Sequence, residues 1–222
     1  MESHKVKITS IKKVTHDVKF FRLEKPPGYR FIPGQATEVS IPQAGWENER
    51  RPFTFTSLNE DPWLEFTIKR YADHPGVTNQ LHQLSVGDQL LIHDVWGAIE
   101  YKGPGYFIAG GAGITPFIAI FRDLHKKGLA AGNTLFFSNK TTDDIIYEEE
   151  FENILGKQVH FILTREKKSG YLNGHIDMNF LKENVTDFSK HFYICGPDKM
   201  IADANEWLAT LGAKADAVVF EK

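Results

Sequence analysis

The segment with the clearest chemical content is rich in glycine and spans residues 106–117 (YFIAGGAGITPF). An apolar run ends in glycines, which allow a backbone to approach an anion closely, and Thr115 followed by Pro116 is typical of a helix start. Backbone amides and the positive end of a helix dipole favour a phosphate group there. We therefore predict a pyrophosphate site, with Thr115 capping the helix. A plain structural turn is the alternative for a Gly-Gly pair.

Residues 51–57 (RPFTFTS) combine one arginine with aromatic and hydroxyl side chains. On a strand, alternation places Arg51, Phe53 and Phe55 on one face and the threonines on the other. The guanidinium could hold a phosphate, and an aromatic side chain could stack on a flat ring system. An edge strand with a solvated arginine and two core phenylalanines explains the same pattern, so this segment alone leaves both interpretations open.

Two shorter segments also place polar groups at the ends of predicted elements. Lys69 and Arg70 lead through a loop to Gly76 and a helix start, where backbone amides are available to a phosphate. The only cysteine, Cys195, closes an apolar run and is followed by Gly196 at the entrance of another helix. A buried cysteine is more often simply a small apolar residue, although ligands bind where parallel strands end.

The elements that position these residues change in character near residue 102. Up to that point, short period-2 stretches are separated by Pro, Gly and Asp turns, and they predict six strands in an antiparallel β-barrel. In residues 63–70 apolar and polar side chains alternate, which predicts one buried and one solvated face. The predicted strands are 6–14, 18–23, 35–41, 51–57, 63–70 and 89–95, with a short helix at 77–84.

After residue 103 the pattern becomes strand, helix, strand, helix. Compact apolar runs at 106–109, 134–137, 159–163 and 192–195 are typical of strands buried on both faces. Amphipathic helices are predicted at 116–127 and 198–211. The alternation predicts an α/β domain with a parallel sheet, whose ligands bind at the carboxyl ends of the strands. We therefore predict two domains, 1–102 and 103–222.

Composition excludes several classes of protein. The 222 residues carry a net charge of -3, which argues against nucleic acid as a partner. A single cysteine forms neither an internal disulfide nor a four-thiolate iron–sulfur site, and the nine histidines lack metal-ligand spacing, so no metal is expected. No apolar run reaches the roughly 18 residues of a membrane span, and we predict a soluble, cytoplasmic protein.

Taken in order, the four segments resemble the motifs of the ferredoxin–NADP reductase family of flavoenzymes. The R-x-Y-[ST] motif corresponds to RPFT at 51–54, and the G-x-x-[ST] helix start to GVTN at 76–79. The G-x-G-[IV]-[ST]-P segment corresponds to GAGITP at 111–116, and the C-G-P segment to 195–197. The resemblance covers essentially the whole chain and implies an FAD-binding barrel followed by a nicotinamide-nucleotide domain.

The resemblance also implies roles for residues of the barrel. Arg51 would pair with the flavin diphosphate, Phe53 would lie against the flavin, and Thr54 would hydrogen-bond near flavin N5. Phe53 stands where the family usually has Tyr, which puts a hydroxyl contact to the ribityl chain in doubt. The remaining residues assigned to FAD are Pro52 in the arginine motif, Ile68, Lys69 and Arg70 along the ribityl and phosphate chain, and Gly76, Val77 and Thr78 as donors to the diphosphate.

In the second domain the resemblance assigns Gly111, Gly113 and Thr115 to the nicotinamide dinucleotide. Cys195 and Gly196 would border its nicotinamide ring, with Asp198 as a polar neighbour. Near the end of the sequence, Phe220 would lie near the flavin and Glu221 near the transfer site, although the correspondence there is loose. The predicted catalytic residues are Thr54, Cys195 and Glu221.

Coenzyme preference should depend on the residues after the second strand of the nucleotide domain. An acidic residue there would bind a ribose 2′-hydroxyl, whereas a cation with hydroxyls accommodates a 2′-phosphate. Ser138 and Lys140, with no acid between them, favour NADPH over NADH. Because Asp143 and Asp144 follow closely, NADH stays an alternative, as does FMN in place of FAD.

The predicted function is hydride transfer from NAD(P)H to FAD, which requires reacting atoms roughly 3–3.5 Å apart and no acid–base dyad. Because no cysteine cluster accompanies the flavin module, the electrons should leave to a separate carrier of the ferredoxin or flavodoxin type, or to a small-molecule acceptor. The alternatives are a free-flavin or ferric-chelate reductase of the same fold, and a non-catalytic nucleotide-binding regulatory subunit.

Overall fold

The structure is a computed structural model that describes residues 3–73, 76–97, 99–214 and 218–220, the last of these for the backbone only. The chain divides into two compact units, Met1–Ala98 and Ile99–Lys222. The domain limits expected from the sequence, with a boundary after residue 102, stay a prediction.

The first unit is a six-stranded antiparallel sheet in the order β4-β3-β6-β1-β2-β5. Its strands are β1 (His4–Lys13), β2 (Val18–Glu24), β3 (Gln35–Ser40), β4 (Arg51–Thr54), β5 (Trp63–Lys69) and β6 (Gln89–Gly97), with helix α1 (Val77–Leu81) between the last two. Just beyond β4, the Thr56 amide donates a 2.8 Å hydrogen bond to the Glu65 carbonyl on β5. This bond joins the two edges of the sheet and confirms the predicted antiparallel barrel.

Strand β5 differs from its prediction on one face. Its even-numbered apolar residues enter the barrel core, as alternation indicates, but Glu65 and Thr67 on the other face are only 3% and 4% exposed. Thr56, which follows β4, packs against this face. The Thr56 hydroxyl lies 3.2 Å from Glu65 Oε1 and 3.3 Å from the Thr67 hydroxyl. The prediction of a solvated face was therefore wrong.

The second unit is a parallel sheet of six strands in the order β10-β9-β8-β7-β11-β12. The strands are β7 (Gly105–Gly110), β8 (Thr134–Asn139), β9 (Val159–Leu163), β10 (Leu172–Asn173), β11 (His191–Cys195) and β12 (Val218–Phe220). The helices are α2 (Thr115–Lys126), α3 (Glu148–Leu155), α4 (Met178–Asn184) and α5 (Asp198–Thr210), with 3-10 helices at Gly111–Ile114, Thr142–Asp144 and Gly156–Gln158. The predicted α/β domain is confirmed.

Helices cover both faces of this sheet, which explains the continuous apolar runs. All six residues of β7 are buried. On one face the Phe107 ring packs 4.5 Å from the Phe121 ring of α2, centroid to centroid. On the other face Tyr106 and Phe192 join a core that includes Leu208 of α5. Among the residues described, no helix is both long enough and apolar enough to cross a membrane.

Candidate functional site

In the first unit, Arg51 opens the edge strand β4 and its side chain is half exposed. The guanidinium donates a 2.7 Å hydrogen bond to the Arg50 carbonyl and lies 3.6 Å from a carboxylate oxygen of Glu49. Both members of this ion pair are about half exposed, and such surface pairs contribute little. An anion arriving from solvent can therefore compete for the guanidinium at small cost.

Phe53 and Thr54 follow on the same strand and are both half-buried. One side of the Phe53 ring packs against the barrel core, with its centroid 6.3 Å from that of Phe66. Thr54 stands opposite Ala36 in the β3–β4 register. The strand thus presents a cation, part of an aromatic surface and a hydroxyl within four residues, which suits a ligand with an anionic end and a flat ring.

The segment from Ile68 to Arg70 is held at each of its three residues. The Ile68 carbonyl lies 2.8 Å from His82 Nε2, and its side chain is 1% exposed, so only the main chain of Ile68 is available to a ligand. Lys69 Nζ lies 2.7 Å from Asp17 Oδ2, and the Arg70 amide donates to the Asp17 carbonyl at 2.8 Å.

The carboxyl group of Asp17 has a lowered pKa. Burial on its own raises this pKa, but the hydrogen bond and the positive charge of Lys69, with the Thr15 hydroxyl, outweigh that effect. The Asp17 carboxyl group is therefore ionised at neutral pH.

Helix α1 begins after Gly76, whose backbone is extended with φ −116°. Val77 enters the core at 2% exposure, whereas Thr78 is half-buried. The first helical bonds run from Asn79 and Gln80 to the Gly76 carbonyl. The amides of Val77 and Thr78 come before the first helical hydrogen bond, as the first amides of any helix do. These two amides are therefore the backbone donors that the turn offers to a ligand.

An ion pair between the buried Glu65 and the partly exposed Arg22 was not predicted. Glu65 accepts a 2.9 Å hydrogen bond from Arg22 Nε, and the Arg22 guanidinium also lies 4.5 Å from the centroid of the Trp63 ring. The Thr56 hydroxyl bonds the other carboxylate oxygen. The available sequence signal was Glu65, a charged residue between two apolar residues of a predicted strand, together with Thr56 two residues after Thr54.

In the second unit, the strand register brings several predicted residues to the carboxyl edge of the sheet. Ala109 pairs with Cys195 on one side and with Phe137 on the other, and Gly110 pairs with Ser138. The ends of β7, β8 and β11 therefore lie side by side. This is the edge at which open parallel sheets bind their ligands.

The glycines at this edge serve two different purposes. A β-carbon on Gly113 would overlap the Cys195 carbonyl, so this glycine permits close packing of main chain on main chain. A β-carbon on Gly196 or Gly110 would instead collide first with the Met200 side chain, at 2.5 and 2.8 Å. Gly111 has φ +52° and nothing within 4 Å of an added β-carbon. Gly111 is thus the glycine that leaves open space beside the turn, as a bound phosphate requires.

The predicted capping role of Thr115 was wrong. The 3-10 helix Gly111–Ile114 continues directly into α2, and Ile114 has helical angles (φ −68°, ψ −21°) instead of the extended backbone of a capping residue. The Thr115 hydroxyl donates a 3.0 Å bond to the Ala112 carbonyl instead. Pro116 does lie in the first turn of α2, as predicted.

Cys195 closes β11 and is 5% exposed, and Gly196 after it is half-buried. Asp198 is exposed and begins α5, where a carboxylate favours the helix dipole. The backbone of Phe220 pairs with Ile194 in the β11–β12 register. The Phe220 side chain and Glu221 lie outside the described residues.

The loop after β8 contains the residues predicted to choose the coenzyme. Ser138 is half-buried, Lys140 is exposed, and the Lys140 carbonyl accepts a 2.9 Å bond from the amide of Arg165. Arg165 is also exposed, and we missed it because it follows the next strand, β9. The parallel order of the strands is the signal that could have found it, since consecutive strands end at the same edge.

The nearby acids are engaged with backbone amides. Asp144 accepts bonds from the Thr141 amide and hydroxyl at 2.9 and 2.8 Å. Glu166 accepts a 2.7 Å bond from the amide of Thr142. Asp144 and Glu166 thus stabilise the loop backbone, while Lys140, Arg165 and the acidic Asp143 are exposed.

Comparisons with known proteins agree with this division of the chain. Residues 5–101 match the family model described as oxidoreductase FAD-binding domain, and residues 107–206 match the model described as oxidoreductase NAD-binding domain. The reductase component of propane 2-monooxygenase from Rhodococcus jostii is 26% identical over 235 residues, covering 98% of this chain and 63% of that protein. NADH-cytochrome b5 reductase 1 from Pyricularia oryzae is 27% identical over 227 residues, covering 90% and 72%.

Among solved structures, a ferredoxin NADP+ reductase from Neisseria gonorrhoeae with bound FAD and NADP superposes with a TM-score of 0.86. The match covers 100% of this chain and 98% of that one at 20% identity, so it shows a shared fold. Fold and domain matches together define a flavoprotein oxidoreductase with an FAD-binding and an NAD-binding domain. The chain belongs to the ferredoxin–NADP reductase-like family.

Proposed function

We propose that this protein transfers a hydride from NADPH to FAD and passes the electrons to a separate carrier of the ferredoxin or flavodoxin type. The observation that most supports this proposal is that Gly111, Ser138 and Cys195 lie at one edge of the NAD-binding sheet, in a chain that also has an FAD-binding barrel. The curated relatives named above are reductases, and the chain spans 63% of the length of the first.

On the barrel, Arg51 would bind the flavin diphosphate, Phe53 would stack on the flavin and Thr54 would hydrogen-bond near N5. The residues fit this group, because the guanidinium is half exposed, with one bond to the Arg50 carbonyl and a weak surface ion pair, and the Phe53 ring keeps part of its surface open. Ile68 and Val77 have buried side chains, so they would contribute main-chain contacts.

On the NAD-binding domain, Gly111 and the first turn of α2 would receive the pyrophosphate. Gly113 and Gly196 would act through the packing that holds Cys195 in place, and the Cys195 thiol would border the nicotinamide ring. The Thr115 hydroxyl, bonded to Ala112, would hold the glycine turn in shape for the pyrophosphate. Asp198 stays proposed as a polar neighbour.

Preference for NADPH is supported by charge. Lys140 and Arg165 are exposed next to each other, whereas Asp144 and Glu166 are hydrogen-bonded to loop amides. A 2′-phosphate would gain from two cations and the Ser138 hydroxyl, while the amide bonds to Asp144 and Glu166 would hold these two carboxylates against the loop backbone.

Bound flavin would supply the chemistry, accepting a hydride from the nicotinamide and releasing the electrons to an acceptor. The residues of the chain would bind and orient the two rings for this transfer, which requires close approach of the reacting atoms. Thr54 and Cys195 would align the rings. Phe220 and Glu221 keep their proposed places near the flavin and the transfer site.

A separate acceptor is supported by the single cysteine, since these 222 residues cannot themselves form a four-cysteine cluster. The same cysteine count suits a reducing compartment such as the cytoplasm. The relatives include a monooxygenase reductase component and a cytochrome b5 reductase, so the carrier must be found by assay.

The experiment is an anaerobic absorbance titration of the purified protein with NADPH and, separately, with NADH. Bleaching of a flavin spectrum by one equivalent of NADPH is the expected result, and preferential bleaching by NADH would reverse the proposed coenzyme. The proposal would be overturned if the protein bound no flavin, or if neither nucleotide reduced the flavin that it binds. Reoxidation by ferredoxin, flavodoxin, cytochrome b5, free FMN and ferric citrate then identifies the acceptor class.

A further inference from the structure

The turn between β1 and β2 reaches across to the end of β5. Asp17 lies in this turn, and both oxygens of its carboxylate have partners. The Thr15 hydroxyl donates to Oδ1 at 3.0 Å, and Lys69 Nζ lies 2.7 Å from Oδ2. The Asp17 carbonyl accepts the Arg70 amide at 2.8 Å, so one residue holds two consecutive residues of another strand by side chain and main chain.

The opposite side of the same segment is held as well. His82 follows helix α1 and places Nε2 2.8 Å from the Ile68 carbonyl, and Lys19 on β2 donates to the His82 carbonyl at 2.8 Å. Ile68, Lys69 and Arg70 are thus fixed one after another, through groups that lie on β2, in the β1–β2 turn and beside α1.

The ion pair has a further property that matters for an anionic ligand. Its members are 17% and 18% exposed, so the Lys69 ammonium is committed to Asp17 at short range. The pair is close to neutral as a unit, and its geometry fixes the direction of the backbone that follows. Lys69 therefore contributes its main chain more than its charge to whatever lies along Ile68–Arg70.

We propose that Asp17 is a positioning residue for the FAD diphosphate, acting through Lys69 and the Arg70 amide, an inference that rests on the proposed function. Asp17 sets the path of the main chain that runs along the ribityl and phosphate chain. Lys69 in turn keeps the Asp17 carboxylate neutralised, because an unpaired carboxylate at that position would repel the diphosphate.

The first test compares the wild-type and Asp17→Asn holoproteins. Each is diluted, and the dissociation of FAD is measured from the fluorescence of the released flavin. Asparagine keeps the size of the side chain and removes the charge, and we expect about tenfold weaker FAD binding. Asp17→Glu, which retains a carboxylate, should recover part of the loss. Asp123→Asn is the matched control, since its pair with Lys127 is also 2.7 Å long but lies on α2, and it should leave FAD affinity unchanged.

A second test uses the sign of a double-mutant cycle. Lys69→Met should weaken FAD binding more than Asp17→Asn does, because it removes the ammonium group that neutralises the carboxylate, while the Thr15 hydroxyl and His16 Nε2, 3.6 Å from Asp17 Oδ2, remain near it. The double variant should bind FAD more tightly than Lys69→Met alone. Phosphorus NMR of the bound FAD should shift in Asp17→Asn while its visible spectrum stays as in the wild type, because the ring contacts lie on β4. A merely structural role predicts neither the recovery nor the selective phosphorus shift.

The outcomes separate this inference from the function on which it rests. If the wild-type protein binds no FAD, the proposed function fails. If the wild type binds FAD and Asp17→Asn binds it equally or more tightly, with an unchanged phosphorus spectrum, only the role of Asp17 is overturned.

Discussion

A β-carbon added to Gly113 would overlap the carbonyl group of Cys195 and would lie 2.6 Å from the amide nitrogen of Gly196. The turn after β7 and the end of β11 therefore fit together only because position 113 has no side chain. The glycine pattern that suggests anion binding in the sequence also carries a packing constraint, which acts on the strand that ends at the cysteine.

Gly113→Ala should destabilise the second unit by about 1–3 kcal/mol, since relief of the overlap requires a shift of backbone atoms. Urea unfolding measures this loss. Gly111→Ala is the comparison, because its cost is only that of a left-handed backbone, about 1 kcal/mol, with no overlap. Equal destabilisation by the two substitutions would show that packing against Cys195 does not limit position 113.

Arg51→Ala should weaken FAD binding by about tenfold to a hundredfold, the range expected for loss of a charge-assisted hydrogen bond to phosphate. Equilibrium dialysis of the flavin provides the measurement. Arg50→Ala serves as the control, because Arg50 is the preceding arginine and is paired 3.4 Å from Glu38. A larger effect from Arg50→Ala than from Arg51→Ala would show that Arg50, and not Arg51, binds the diphosphate.

Cys195→Ala should slow flavin reduction by NADPH by about tenfold, equivalent to roughly 1.4 kcal/mol of barrier. The thiol is proposed to border the nicotinamide ring, while FAD is bound by the other unit, so flavin content should not change. Stopped-flow absorbance under anaerobic conditions gives the rate. An unaltered rate would show that Cys195 acts only as a small apolar residue at the end of β11.

Coenzyme preference should respond to the exposed cations after β8 and β9. The double substitution of Lys140 and Arg165 by Ala should raise the KM for NADPH by about tenfold and leave the KM for NADH nearly unchanged. Lys157→Ala is the matched control, since Lys157 precedes β9 and lies at the opposite end of that strand. Parallel loss with both coenzymes would indicate a general effect on nucleotide binding.

Stability should fall as the pH decreases below about 6.5. Burial is the largest cause of a lowered pKa in His82, His93 and His160, so all three are neutral when folded near neutral pH. The unfolded chain binds protons at its ordinary pKa of 6.5, whereas the folded chain resists them. The stabilisation is therefore complete above that value and is lost as the pH falls towards the lower folded pKa values.

The measurement is urea unfolding at about pH 7.5 and about pH 5.5, where each such histidine contributes up to roughly 1.4 kcal/mol per pH unit. His93→Gln should reduce the pH dependence, because His93 is 3% exposed and no hydrogen-bond partner is described for either ring nitrogen. An identical pH dependence in wild type and variant would rule out His93 as a contributor.

The sequence predicted most of the architecture because periodicity reports directly on burial. Strand β9 has the predicted limits, and β2 and β5 each differ by one residue at one end. Strand β10, with two residues, and helix α4 were missed. The side chain of Asp177 accepts a 2.8 Å bond from the Phe180 amide at the start of α4, so an N-cap signal was present there.

The site was predicted less completely, for reasons that depend on tertiary structure. Alternation indicates on which side of β5 Glu65 lies, but it does not report that Thr56 and Arg22 come to cover it. Thr115 precedes a proline as a capping residue often does, yet the left-handed turn at Gly111 sets up a 3-10 helix that no local pattern reveals. Arg165 is separated from Lys140 by a whole helix and strand.

The carboxyl edge of the parallel sheet thus has a tightly constrained part and a permissive part. Where β7 meets β11, main chain touches main chain and almost any added side chain would collide. Where β8 and β9 end, the long side chains of Lys140 and Arg165 extend into solvent on a loop whose backbone is secured by its own acids. If these residues select the coenzyme as proposed, substitutions that exchange one dinucleotide for another should accumulate in the permissive part without moving the backbone around Cys195.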